Sequence, residues 1–225
     1  MGCRCFRIRL TLFILGAGVL SHSCLFPQKE IVRVAIAEVR PDLTPGSIAV
    51  IAGQRTRYLA DLTEFLSARF EHHRLFSPLS RRRIASLLPV YPANIIREDL
   101  SSPAADTPDS FSVDNLARCA RLQARLKTDY LLVVWCRNFQ SYSREHRSFT
   151  DGSGGYSEEW LRFHLQARLI KYPENRVVGY ARLIYDKRVP ESYVVQGING
   201  FVRQVLKECA DSLFSVLEKQ LNSSP

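Results

Sequence analysis

Side chains able to do acid–base or nucleophilic chemistry are few and scattered in this sequence. His164 lies in Leu161-Arg-Phe-His-Leu-Gln-Ala-Arg168, where it could exchange a proton only if a carboxylate or nucleophile approached it. Nothing of that kind lies nearby in sequence, so it reads as an ordinary surface histidine between Arg162 and Arg168. The carboxylates of Asp99, Asp106 and Asp109 fall in a stretch rich in Pro, Ser and Ala, which gives them no rigid scaffold. Glu158 and Glu159 adjoin Asp151-Gly-Ser-Gly-Gly155. Such a glycine run cradles phosphate when it opens a helix, but strands are expected on both sides and no Gly-Lys-Ser/Thr follows, so it reads as a mobile hairpin loop. Without a nucleophile–base pair or two converging carboxylates, the expectation is a protein that is not an enzyme and takes no cofactor.

Of six cysteines, Cys3 and Cys5 precede the first apolar run, and Cys119, Cys136 and Cys209 are too widely spaced for a zinc site. Export permits one disulfide among those three, but they fall on apolar faces and read as buried free thiols, with no metal expected. Cys24 is different. Arg4, Arg7 and Arg9 form a basic start, and Leu10–Leu20 is an uncharged run of 11 residues, within the range of about 7–15 for a signal peptide and short of the roughly 20 needed to span a bilayer. Leu20-Ser-His-Ser-Cys24 resembles a bacterial lipoprotein signal, with Ser21 where leucine is usual. Residues 1–23 are therefore expected to leave, Cys24 to be lipidated (palmitate among the acyl groups), and 24–30 to act as a tether; an ordinary signal peptide with Cys24 a bystander stays open. Phe6, where Ser or Thr is required, argues against N-myristoylation at Gly2. No later stretch is long and apolar enough to cross a membrane.

At 225 residues and 46% hydrophobic, the chain can bury one substantial core. Removing 1–23 takes away three arginines and no acid, so the formal charge of +9 falls to +6. Those charges are dispersed over helix faces and strands, which suits a solvated surface near anionic headgroups better than a nucleic-acid footprint.

The elements that must position any site begin with Val32–Phe70. The β-branched strand Val32–Val39 ends at the breaker Arg40-Pro-Asp-Leu-Thr-Pro-Gly46; Ser47–Ile51 returns as a hairpin partner, and a helix starts near Thr56. Leu59, Leu62, Leu66 and Phe70 recur at helical spacing, so that helix buries one face. Leu75–Leu79 is a short strand candidate, and Ser80 caps a helix to Leu88 that opens on Arg81-Arg82-Arg83, against the macrodipole. Residues 89–113 read as a flexible insertion. Asp114 is the expected cap of a helix with Leu116, Ala120, Leu122 and Leu126 on its apolar side.

Tyr130–Cys136 is nearly continuous in apolar residues and fits a central strand covered on both faces. Leu161, Phe163, Leu165, Ala167 and Leu169 alternate with Arg162, His164, Gln166 and Arg168, which predicts one face on the core and the other in solvent or against a partner. Pro173-Glu-Asn175 turns the chain, and Val177–Tyr185 returns antiparallel. From Asn199 to Leu221 an apolar stripe that includes Phe201, Val205, Cys209, Leu213 and Leu217 predicts a helix of about 35 Å. The sum is an α+β fold: about five strands in a mixed, largely antiparallel sheet, with the long first and last helices packed on one face, forming a single domain over 31–222.

Arg33-Val-Ala-Ile-Ala-Glu-Val39, Leu43-Thr-Pro-Gly-Ser-Ile-Ala-Val50, Gln54–Leu66, Asp129-Tyr-Leu-Leu-Val-Val134, Arg137-Asn-Phe-Gln140 and the apolar closing helix together resemble the auxiliary lipoproteins of ABC-type transport systems, the Mce-associated, lipid-transporting kind. The likeness covers most of the chain after the signal. A tryptophan usual early in the first helix is missing around Leu62, and Arg81–Lys127 is longer than the pattern. That resemblance implies a lipid-anchored, periplasm-facing component of the bacterial envelope that docks to an ABC transporter or its Mce-type lipid-binding subunit. A homo-oligomer is compatible with it, and Leu25 in place of aspartate implies the outer membrane. Arg55, Arg57, Tyr58, Arg162, His164 and Arg168 are the docking candidates. The helix ending in Lys127-Thr-Asp-Tyr130 also resembles envelope lipoproteins of the TolB N-terminal type that activate a peptidoglycan synthase, an alternative that Ile48–Ile51 followed by Arg57-Tyr58 fits less well.

Overall fold

Six consecutive residues, Tyr130–Trp135, are each at most 1% exposed, and the chain is arranged to cover them on both sides. The computed structural model describes residues 31–40, 42–88, 111–146, 156–196 and 198–223. The expected signal peptide, Cys24, the tether, most of the 89–113 insertion and the glycine-rich run lie outside them. In chain order the elements are β1 (Ile31–Val39), β2 (Gly46–Ala52), α1 (Arg57–Phe70), β3 (Phe76–Pro78), α2 (Arg81–Leu87), α3 (Val113–Leu126), β4 (Tyr130–His146), β5 (Tyr156–Lys171), β6 (Arg176–Arg188), α4 (Glu191–Gln196) and α5 (Asn199–Asn222).

The fold is α+β, with a six-stranded mixed sheet in the order β1-β6-β5-β4-β2-β3. Strands β1, β6, β5 and β4 pair antiparallel; β2 lies parallel to β4 on one side and to β3 on the other. The expected hairpin between the first two strands does not form. The chain does reverse after Val39, but β6, β5 and β4 stand between β1 and β2, because β1 finds its full-length partner in β6 and β2 finds its own in the apolar half of β4. Gly46 lets β2 approach β4 closely: a Cβ there would meet Asp129 Cβ at 2.9 Å.

Helix α1 starts as the sequence predicts. Thr56 Oγ1 accepts the Leu59 amide at 3.3 Å, and Leu59, Leu62, Leu66 and Phe70 are buried. Ser80 likewise caps α2, whose Arg81 pairs with Glu64 of α1. The cap of α3 is Ser112, not Asp114; Ser112 Oγ accepts the Asn115 amide, and Asp114 occupies the first turn, where its charge suits the dipole. The buried row of α3 is Asn115, Cys119, Gln123 and Leu126, while Leu116, Ala120 and Leu122 are half-buried. Gln123 pays for its burial by donating from Nε2 to the Ile170 carbonyl at 3.1 Å.

Helices α1 and α5 lie together on one face of the sheet. Phe70 meets Phe214 edge-on at 5.1 Å, Arg69 pairs with Asp211, and Arg33 Nη1 donates to Ser212 Oγ at 2.9 Å. The opposite face is covered at its β4–β5 centre by α3 and by Phe111, whose ring lies 6.0 Å from that of Trp135. Cys119 and Cys209 are buried, Cys136 is half-buried, and all three are free thiols. No described helix is long and apolar enough to cross a membrane.

Candidate functional site: an apolar cavity with a basic mouth

Strand β4 runs on past the apolar stretch to His146, and a bulge interrupts it: Cys136 pairs with Leu165, and the next paired residue, Asn138, with His164. An extra residue shifts the alternation by one. Before the bulge, even-numbered residues face α1 and α5; after it, Phe139 does, opposite Phe163 with ring centroids 4.7 Å apart. Tyr58, in the first turn of α1, completes the aromatic wall 5.5 Å from Phe139. Leu59, Leu165, Leu206 and Cys136 close the floor of a cavity of about 250 Å³, and Gln54, Thr56 and Arg57 complete its lining.

Polar atoms around this space are committed to holding it. Gln54 Oε1 accepts the Cys136 amide at 3.3 Å, and Thr56 caps α1. The Cys136 thiol donates to the Asn138 carbonyl at 3.2 Å, and burial pushes its pKa up to about 11, so it stays protonated and is a poor nucleophile at neutral pH. The guanidinium of Arg57, on an exposed side chain, is the fixed positive charge of the lining. Such a lining binds apolar matter and offers one cation to an anionic group; it has no pair of groups set to pass a proton.

The six docking candidates fall on opposite faces of the sheet. Arg57 and Tyr58 line the cavity and Arg55 is exposed just before them. Arg162, His164 and Arg168 point the other way. Arg162 is held by Asp186 through two hydrogen bonds of 2.7 and 2.6 Å, which raise its pKa further. His164 is half-buried. Arg168 is 2% exposed, with its guanidinium 5.3 Å from the rings of both Trp135 and Tyr180 and donating to the Ala167 carbonyl at 3.1 Å. It therefore presents almost no surface to a partner, although alternation placed it on the face turned to solvent or to a partner.

Phe139, Phe163 and Leu206 were not singled out as site residues by the sequence. Phe163 was legible as core-facing, but the bulge conceals the face of Phe139. Also missed is a cluster at the far end of the second face, where Arg144 lies 4.1 Å over the Trp160 ring and buried Glu158 pairs with Arg188 at 2.9 Å.

No family model matches the chain, and no curated protein matches it significantly. Among solved structures it is similar to the PelC dodecamer from Paraburkholderia phytofirmans (10% identity, 84% of this chain and 98% of that one, TM-score 0.44). It is also similar to the hypothetical protein CT253 from Chlamydia trachomatis (11%, 80% and 98%, TM-score 0.38) and to lipoprotein GNA1162 from Neisseria meningitidis (11%, 72% and 98%, TM-score 0.40). TM-scores below 0.5 at such identities are too low to assign a role.

Proposed function

We propose that this chain is a non-enzymatic, lipid-anchored envelope protein that serves as an auxiliary component of an ABC-type lipid transport system, docking to the transporter's periplasmic subunit. The observation that carries the reading is the cavity: an aromatic and aliphatic lining with a single guanidinium at its mouth is equipped to bind, and its thiol is held protonated. Two features of the sequence support it: the lipoprotein-like signal ending at Cys24 and the pattern of segments shared with the transport auxiliaries. The docking surface is the α1 start, Arg55, Arg57 and Tyr58, around the cavity.

Crosslinking from a photoreactive amino acid at position 55, followed by purification from native membranes, is expected to recover an ABC permease or its periplasmic lipid-binding subunit. Recovery of a peptidoglycan synthase alone replaces this reading with that of a synthase activator. Palmitate labelling is expected in the wild type and lost in Cys24→Ala; equal labelling removes the anchor.

A further inference from the structure

The cavity and the beginning of the folded domain share one end of the sheet. Strands β2, β4 and β6 run in one direction and β1 and β5 in the other. The C-terminal end of β2, from which Gln54, Arg57 and Tyr58 follow, therefore lies at the end where β1 begins. Register makes the relation specific: Arg33 is opposite Tyr185, Tyr185 opposite Phe163, and Phe163 opposite Phe139. One row thus runs from the third residue of β1 to the aromatic wall of the cavity, and three strand spacings make it about 15 Å long. Residues 24–30 separate Cys24 from Ile31, and that length of chain reaches at most about 25 Å.

From this placement and lining we infer that the cavity receives a single acyl chain of about ten carbons, with an anionic head against Arg57, drawn from the membrane face beside the anchor. The inference rests on the proposed anchorage at Cys24 and names the ligand class of the proposed binding site. An apolar cavity of about 150 Å³ already holds a six-carbon aromatic ring, so 250 Å³ scales to about ten carbons. The side-chain oxygens of Gln54 and Thr56 already accept the Cys136 and Leu59 amides, so neither is left to accept a peptide N–H, and the rest of the lining is largely aromatic and aliphatic, which favours an acyl chain over a partner's loop. Each methylene up to about ten carbons should tighten binding roughly fourfold, and longer chains should gain little. The exposed guanidinium should contribute about fivefold through an anionic head.

The test uses the full chain carrying Cys24→Ala, so that no acyl group attached to the protein competes. One arm offers a ten-carbon fatty acid with a diazirine near its end; the other offers phosphatidylglycerol vesicles carrying the same diazirine acyl group. Mass spectrometry maps the labelled residues. Labelling concentrated at Tyr58, Phe139 or Phe163 is expected in the vesicle arm, which identifies lipid as the source; labelling in the fatty-acid arm alone identifies a free amphiphile and overturns the membrane source. Leu206→Trp, which fills the cavity, should cut labelling at least tenfold with an unchanged far-UV CD spectrum. Unlabelled decanoate should compete with the probe on the parent chain, which keeps the test decisive should Leu206→Trp not fold. Arg57→Gln should weaken decanoate competition about fivefold and leave decanol unaffected. Labelling spread over the surface, or insensitive to competition, overturns the inference. Cavity labelling without recovery of a transporter component removes only the proposed role; recovery without cavity labelling removes only the acyl site.

Discussion

The two faces of the sheet are closed by different physics. Toward α1 and α5 the contacts are aliphatic and aromatic, and the polar links sit at the edges, as with Lys187 and Tyr185 donating to Glu208. Burial works against the charge of Glu208, but those two donors outweigh it and hold its carboxyl below the usual range. On the other face much of the cover is cationic: Arg168 between Trp135 and Tyr180, Arg144 over Trp160, Arg162 beside Tyr142. There the arginines bury their stems and pack on ring faces, beside the cover that α3 and Phe111 give at the β4–β5 centre. Beyond their reach that face is open, with Val34 and Ile36 each 51% exposed. A cavity survives on the densely packed side because Tyr58, Phe139 and Phe163 form a rigid wall that α5 meets only through Leu206 among the lining residues.

The contrast breaks first at its aliphatic side. Leu213→Ala, in the buried stripe of α5, should cost about 2–5 kcal/mol and lower Tm by roughly 5–15 °C, read by thermal CD. On the other face, Arg168→Ala should cost about 2–3 kcal/mol through lost packing, and Arg168→Met should recover most of it. A methionine variant as unstable as the alanine one shows that charge, not contact with the rings, closes that face.

Asp186 is 3% exposed at its side chain while Arg162 is 41% exposed, so Asp186→Asn should cost about 1 kcal/mol in urea unfolding once the pair is discounted for solvent. Acid sharpens the picture further. Hydrogen bonds from the Ser47 amide and hydroxyl hold Asp129 below its ordinary 3.8. A depressed carboxylate contributes stability that is present above that value and lost as pH falls through the folded one. Burial, opposed by Glu218, lowers His73 below 6.5 among Phe70, Phe76 and Phe214. Its neutral form is the one the fold favours, so stability should begin to fall below pH 6.5 and fall again below 3.8. His73→Phe should remove the upper step and Asp129→Asn reduce the lower one, in urea midpoints measured against pH. The smallest effect belongs to the cavity mouth, where Arg57→Gln should change stability by less than about 0.5 kcal/mol.

Helices α1 and α5 were legible almost to the residue, because a 3.6-residue apolar period and a Thr56 cap are local signals. The β5–β6 hairpin was legible for the same reason, at period two, and the central strand from its nearly unbroken apolar run. Two of the ten residues that line the candidate site, Arg57 and Tyr58, could be named from the sequence; the β4 and β5 side could not. Phe139 sits three residues beyond Cys136, which by simple alternation places it on the opposite face, and only the bulge at Arg137 brings it to Phe163. Arg168 misleads in the opposite direction, since alternation sends it to solvent but Trp135 and Tyr180 come from other strands to cover it.

By itself the sequence determined most of the helix and strand segments and which faces of most of them are apolar, because those depend on neighbours a few residues away; it did not show α4 or the half of β4 beyond Cys136. Tertiary structure decided the rest: that β1 and β2 stand three strands apart, that α3 buries an Asn–Cys–Gln row, and that Tyr58, Phe139 and Leu206 enclose a common space. Each depends on which distant segment offers the longer ladder or the better-matched surface, a competition across the whole chain that no local period records.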